Sequence, residues 1–417
     1  MNIICLLLCV AAYTVVGCGI RESQRETLGG LLRTMLYSIT ADNPPNPSVF
    51  IALRLARDHN LEKETQLFHS LETELARKLN EAQEIPSGLL ALYVLAFRAT
   101  CRDPQHFEAG VVSKNLLEIL ARKLDAEIES IHRRSVPLTN YYQVALDVLA
   151  LCINKHAVPS CAISEIKKAI TDNLFMHGER FDVDTAAVSV LALQCFSPNP
   201  HGVQSVLHQI LREADQNGTI GNIYSTGLAV QALSVSQDMI PDNRWDCSLS
   251  IDRLLKASRE GEFANPQTAS QVTPSLEGKS YLNVGEITCK DDISNLTLPE
   301  LTTAPPTLSP PARIEVSLNV TDGVNGSFSD QTLVQVSSGS SLLEALRVAR
   351  KLLPLRFSFD YQTSSYGPYL TTVQGLEASV ADRTYWQLLS GSDPLQQGIA
   401  DYTVQDGEKI LIILTQY

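Results

Sequence analysis

No cluster of lysine and arginine appears in this 417-residue chain, which carries 33 basic against 46 acidic side chains and a formal charge of −13. Nucleic acids and anionic lipids need concentrated cations to displace their counterions, so both are excluded as partners. Beyond the N-terminus no apolar run is long enough to cross a bilayer, which excludes membrane insertion. Cysteine pairs with CxxC spacing are absent, as are histidine-rich stretches, so no metal site is expected. His177, His201 and His208 lack the His/Cys/Asp spacing of a triad, and the sequence offers no nucleophile.

What is present reads as a soluble two-domain protein. Hydrophobic residues make up 44% and charged residues 19%, and single cores stop growing at roughly 250 to 300 residues. The first 17 residues, MNIICLLLCVAAYTVVG, hold an uncharged apolar core from Ile3 to Val16 before small Gly17, which suits a signal peptide although the segment lacks an initial Lys or Arg. Its removal takes Cys5 and Cys9 from a total of nine cysteines, leaving seven: Cys18, Cys101, Cys152, Cys161, Cys195, Cys247 and Cys289. An odd number leaves one thiol unpaired or paired outside the chain, and a secreted context favours disulfides over buried thiols. Four Asn-x-Ser/Thr sequons, at Asn217, Asn295, Asn319 and Asn325, fit the secretory route as glycosylation sites.

One helical phrase recurs: PSVFIALRLA ending at Ala56, SGLLALYVLA at Ala96, YYQVALDVLA at Ala150, DTAAVSVLA at Ala192 and STGLAVQA at Ala232, with ends 40, 54, 42 and 40 residues apart. Between them lie amphipathic segments such as Leu116 to Ile131 and Ile163 to Leu174. A small-residue apolar helix alternating with an amphipathic one at a period of about 40 signals stacked helical hairpins. A degenerate sixth phrase, Ala264 to Leu276, closes a ring of inner helices, so residues 18–290 are expected to form an α/α barrel. The stretch from Asp291 to Arg313 is rich in Pro, Thr and Ser; the linker is placed at 291–311. From 312 to 417, ARIEVSLNV alternates apolar and polar residues, SLLEALRVARKLL has helical period and GEKILIILTQY ends as a buried strand, the pattern of a small β-rich α+β domain.

Asp182 and Asp184 in FDVDTAAVSVLALQCF stand at the mouth of an inner helix, where a carboxylate caps backbone N–H groups. Beyond capping, such a residue serves as a general acid, as in α/α-barrel cyclases with a similar acidic motif, or as an acceptor for a ligand. Those cyclases carry a further adjacent Asp where this chain has Thr185, which removes the acid's partner. GCGI at Gly17 is similar to the start of a thioester motif but lacks the Glu-Gln that the acyl bond requires. Gly218 and Gly221 precede an inner helix that begins near Tyr224; they make either a tight turn or a backbone surface open to a ligand, with Asn222 supplying donor and acceptor. SSYGPYL and YWQLLSGSDPL place aromatics beside Ser, Gly and Gln in expected loops, a composition that grips large amphiphilic ligands, and Trp386 adjoins two turn signals.

The blocks FDVDTAA, GNIYSTGLAVQALSV, ASQVTPSLEGKSYLNV, TYWQLLSGSDPLQQGIADY and the terminal LTQY, in this order, resemble the cobalamin transport family of intrinsic factor, haptocorrin and transcobalamin. The resemblance implies an α6/α6 barrel linked to a β-rich domain, with vitamin B12 flat between them as transported ligand, no catalysis, secretion, and a cell-surface uptake receptor as partner. It implies disulfides joining Cys18 to Cys247, Cys101 to Cys289 and Cys152 to Cys195, with Cys161 left over. Ligand contacts carried over by position fall on Tyr142, Asp184, Asn222 and Gln271 in the helical domain. In the small domain they fall on Ser365, Tyr366, Gly367, Pro368, Tyr369 and Leu370, and on Trp386, Gln387, Leu388, Leu389, Ser390, Gly391, Ser392, Asp393, Pro394 and Leu395. A corrin's amide fringe needs donors and acceptors, and its faces need apolar walls. Transcobalamin carries a His before the Asp-Thr motif that ligates cobalt; Arg180 and Phe181 stand there here, so no protein ligand to cobalt is expected. Tyr366, Pro368 and Tyr369 depart from intrinsic factor. The competing reading is an α/α-barrel enzyme acting on a polyisoprenoid or polysaccharide.

Overall fold

The computed structural model describes residues 18–39, 46–110, 112–177, 180–197, 200, 202–240, 244–299, 312–364, 367–379 and 382–416. The segment expected to be a signal peptide, together with Ser365, Tyr366 and His201, lies outside the described residues. Among the described residues twelve α-helices make up the first domain. Six are inner: α2 (Pro47–Leu55), α4 (Ser87–Ala99), α6 (Tyr141–Ile153), α8 (Val183–Phe196), α10 (Ile223–Ser234) and α12 (Pro266–Leu276). Six are outer: α1 (Arg25–Tyr37), α3 (Leu61–Asn80), α5 (Leu116–Arg134), α7 (Ser160–Thr171), α9 (Val203–Arg212) and α11 (Cys247–Glu260). Each inner helix packs on the next, and α12 returns to α2, so the ring is closed.

Two packing environments explain the two sequence patterns. Helix α5 buries Leu117, Leu120, Leu124, Ile128 and Ile131 along one stripe and leaves charge on the other, as a helix covered on one side must. Helix α6 is enclosed by neighbours and buries nearly its whole surface, from Tyr142 to Ile153. Full burial of each Leu, Ile or Val contributes about 1.5–3 kcal/mol. Small residues set the spacing: a Cβ on Gly227 of α10 would lie 2.5 Å from the Gln271 carbonyl oxygen of α12. The outer helix expected from Ile163 to Leu174 instead runs from Ser160, after Pro159, to Thr171, because Asn173 takes a left-handed φ of 53° that ends it.

Three disulfides tie this domain together. Cys18–Cys247 joins the chain's start to α11, Cys101–Cys289 joins the end of α4 to the segment after α12, and Cys152–Cys195 staples α6 to α8; Cys161 is free and exposed. These are the pairs that the family resemblance implied. Residues 291–299 of the expected linker lie against the barrel: Asn295 and Leu296 donate backbone N–H groups to the His59 carbonyl, and Tyr37 donates its hydroxyl to the Pro299 carbonyl. Residues 300–311 lie outside the described residues.

The second domain is a mixed sheet under one helix. Strands β1 (Arg313–Asp322), β2 (Ser329–Ser337), β6 (Thr384–Ser390), β7 (Asp393–Pro394) and β8 (Lys409–Gln416) form a sheet in the order β7-β6-β8-β1-β2, with only the β8–β1 pair parallel. Strands β3 (Phe359–Ser364), β4 (Gly367–Val373) and β5 (Leu376–Glu377) form a second, antiparallel sheet. Helix α13 (Leu342–Leu352) starts at a capping box of Ser341 and Glu344 and buries Leu342, Ala345, Leu346 and Ala349 against Val316, Leu318, Ile410 and Ile412. The blocks expected as loops, 364–370 and 385–395, are largely strand among the described residues: β4 begins at Gly367, and β6 and β7 form a hairpin turning at Gly391.

Candidate functional site

Residues near the starts of neighbouring inner helices meet, Ser48 with Ser270, Gly88 with Gln143 and Asp184 with Ser225, so these N-termini share one rim of the barrel. Five of the six begin at a side-chain cap: Asn46, Asn140, Asp182, Asn222 and Asn265 each accept from backbone N–H groups of their own first turn. Each cap contributes about 0.5–2 kcal/mol and orients its side chain. The helix dipoles add their positive ends at this rim, a setting that favours acceptors and partial negative charge.

Asp182 and Asp184 separate into two roles here. Asp182 caps α8, its carboxylate accepting the Thr185 N–H at 3.1 Å and the Thr185 hydroxyl at 2.6 Å. Asp184, in the first turn, accepts the Ser225 hydroxyl at 2.9 Å. Burial pushes the Asp184 carboxyl up to about 7, the neighbouring Asp182 charge adds to the rise, and the Ser225 hydrogen bond opposes it. Buried Tyr281 is pushed up to about 12, first by burial and then by the Asp184 charge. Tyr142 lies buried in the first turn of α6, while Gln271 is half-buried on α12.

The small domain meets this rim directly. Asn222 Oδ1 accepts the Tyr224 and Ser225 N–H groups at 2.8 Å each, leaving Nδ2 to donate to Gln396 Oε1 at 3.1 Å across the domain boundary. Gly367, with φ of +95°, abuts the seam: a Cβ there would lie 3.3 Å from the Gln267 amide of α12 and 3.4 Å from Asp401 Oδ2. Burial pushes Asp401 up to about 6, opposed by a hydrogen bond with Asn265. Tyr361 and Gln362 of β3 line a cavity of about 200 Å³ with Lys78, Glu84, Pro86 and Leu89 of the helical side.

The structure therefore brings Asp184, Asn222 and Gly367 to one seam and buries Trp386 and Leu370 in the core of the small domain. Trp386 is a core residue, 6% exposed and stacked on Phe328 with ring centroids 6.3 Å apart. The two-residue alternation of β6 puts Trp386 with Leu414 on the covered face and Gln387 with Ile413 on the other. Leu370 is also buried, whereas Tyr369 is 43% exposed and donates its hydroxyl to Gln362. Ser390 donates its hydroxyl to Glu408; Gly391 and Ser392 make the exposed turn, Asp393 and Pro394 are exposed, and Leu388 and Leu395 pack partly against the core. Ser225, Asn265, Gln267, Gln396 and Asp401 were missed from sequence. Asn265 carried a readable signal, an Asn immediately before the N1 proline Pro266. Gln396 and Asp401 carried none, since their role comes only from the docking of the two domains. Among the described residues no group of His, Cys, Asp and Glu is arranged to hold a metal ion, and no helix is long and apolar enough to cross a membrane.

Residues 1–311 match the family model described as eukaryotic cobalamin-binding protein, and residues 339–416 match a model for a domain of unknown function. Transcobalamin-1 of Homo sapiens is 33% identical over 96% of this chain and 94% of its own length. Cobalamin binding intrinsic factor of Rattus norvegicus is 33% identical over the same shares, and Transcobalamin-2 of Mus musculus is 34% identical over 94% and 93%. The crystal structure of haptocorrin in complex with Cbi superposes with a TM-score of 0.74 at 31% identity, covering 96% of this chain and 99% of that one.

Proposed function

Because this chain belongs to the eukaryotic cobalamin-binding protein family, we propose that it encloses one cobalamin at the seam between barrel mouth and small domain and carries it to a cell-surface uptake receptor. It is a cobalamin-binding transport protein and not an enzyme, and cobalamin is its cargo rather than a catalytic cofactor. Secretion is part of the proposal, supported by three disulfides and four sequons.

The observation that carries the site is the pairing of Asp184 with Ser225 beside Asn222 at the rim that the small domain touches. These groups offer acceptors and donors to a corrin's amide fringe, with Tyr142 and Gln271 on adjacent inner helices. On the small-domain side the proposed contacts are 365–370 and 386–395, with the buried Trp386 and Leu370 shaping the strands from behind. Asn222 Nδ2 is donated to Gln396 across the seam, so a ligand that takes this donor breaks the Asn222–Gln396 bond. Thr185 spends its hydroxyl on Asp182, so the acidic pair is built for capping and acceptance rather than for proton delivery.

Asp184→Ala is expected to weaken cobalamin binding by about 1.5–3 kcal/mol, one to two orders of magnitude in Kd, because it removes a charge-assisted acceptor. Asp182→Ala is expected to lower barrel stability by a cap's worth and leave affinity nearly unchanged. Equal small effects on affinity from both, in a spectroscopic titration, would reject Asp184 as a ligand contact.

A further inference from the structure

The five-stranded sheet of the small domain is covered on one face only, by α13 and the second sheet. Its other face is mixed: polar Ser317, Thr321, Gln331 and Gln387 share it with a group of apolar side chains. Leu333 there is 57% exposed, and Leu389, Leu411 and Ile413 are half-buried. Strand register places Asn319 among them: Leu411 is its direct partner on β8, Ile413 pairs with Thr321, and Leu333 pairs with Ser317, two residues away on the same face. Exposed apolar surface of this kind on a free sheet beside the edge strand β2 invites self-association.

We infer that Asn319 carries an N-linked glycan whose sugars lie over this apolar sheet face and keep it from associating. Asn319-Val320-Thr321 is a sequon, and the Thr321 hydroxyl donates to Asn319 Oδ1 at 3.1 Å, while Nδ2 has no hydrogen-bond partner among the described residues. The contrast with the sequon at Asn295 is direct. There Nδ2 donates to Asp58 at 2.8 Å and Oδ1 accepts the His59 N–H at 2.8 Å, so the amide is clamped into the helical domain. Asn325 sits on the exposed turn that Asp322 holds by accepting from the Val324, Asn325 and Ser327 N–H groups, away from the middle of the face. In the transfer, Asn319 Nδ2 bonds to the anomeric carbon of the first N-acetylglucosamine of a lipid-pyrophosphate-linked oligosaccharide. The anomeric C–O bond to pyrophosphate breaks, the lipid pyrophosphate departs, and the amide gives up one proton. Leu389 also falls within the proposed ligand contacts 386–395, so the face adjoins the cobalamin site, and retention of cobalamin binding is part of the test.

The test uses the full chain secreted from a eukaryotic cell line. Enzymatic deglycosylation in heavy-oxygen water converts each glycosylated Asn to labelled Asp, and peptide mass mapping is expected to find the label at 319. Glycan removal from the folded protein, and separately Asn319→Gln, should raise apolar-dye fluorescence and shift the chain toward oligomers by light scattering, with cobalamin binding retained and with Asn325→Gln showing neither change. An unlabelled residue 319 overturns the inference. So does a labelled one whose deglycosylation leaves dye binding and association unchanged. Loss of cobalamin binding on deglycosylation of the folded chain also overturns it, because the face would then belong to the ligand site.

Discussion

The two domains present the same seam by opposite means. On the helical side Tyr142, Asp184 and Asn222 sit on or beside helix N-termini, in a domain cross-linked by Cys18–Cys247, Cys101–Cys289 and Cys152–Cys195. The small domain holds no cysteine, the last being Cys289, and reaches the seam through hairpin ends and a turn: Tyr361, Gln362, Gly367, Gln396 and Asp401. One half is a fixed rim with caps that orient its donors and acceptors; the other can shift as a body and adjust its turns. A ligand larger than the seam is best accommodated by that division, since ordering costs are already met on the rigid side and only the small domain must move.

The largest effect that would break this comparison is at Trp386. As a core residue of the domain without disulfides, Trp386→Ala should cost about 3–5 kcal/mol of that domain's stability, read as a lowered unfolding transition. Lost cobalamin binding with an unchanged transition would move Trp386 from the core to the ligand surface. Next is Cys152→Ser, which should cost about 2–5 kcal/mol in the barrel and leave the small domain's transition in place, whereas Cys161→Ser, at an exposed free thiol, should change neither. A barrel indifferent to Cys152→Ser would remove the rigidity on which the comparison depends.

This contrast also explains what was legible in the sequence. The barrel was readable because inner and outer helices bury different fractions of their surface, and that difference is written as period and residue size from Ala56 to Ala232. The caps were partly readable: Asp182 stands where a helix cap is expected, whereas Asn222 reads in sequence as a donor and acceptor for a ligand and not as the cap of α10 that it is. The small domain's strands were visible as alternation in ARIEVSLNV, yet YWQLLSGSDPL looked like a loop. Its Gly and Pro mark only the hairpin turn, and the partner strand of β6 is β8, distant in sequence. The cross-domain bonds of Gln396 and Asp401 depend on docking, which no local pattern encodes.

A smaller effect sharpens the rigid side. The Asp184 carboxyl is raised in the folded chain to about 7 from the ordinary carboxylate range, so between roughly pH 4 and 7 the folded state holds a proton that the unfolded state has released. Stability of the ligand-free chain should therefore fall as pH rises through that window and level off above it. Asp184→Asn should flatten the fall, measured as denaturation midpoints at about pH 5 and about pH 8. A fall of the same size in the variant would assign the dependence to other groups.

The smallest effect tests the movable side, and its sign is the informative part. Asn222 uses Oδ1 to cap α10, so only Nδ2 is available to a ligand, and Nδ2 is donated to Gln396. Cobalamin must displace Gln396 to take that donor. Gln396→Ala removes the competitor without touching the cap, so affinity should improve slightly, by at most the roughly 0.5–1.5 kcal/mol that a neutral hydrogen bond contributes, chiefly through faster association. Asn222→Ala should move affinity the other way and destabilise α10 by about 0.5–2 kcal/mol as well. Stopped-flow association and dissociation rates separate the two: a slower association for Gln396→Ala would mean that the glutamine guides the ligand in rather than holding the domains together.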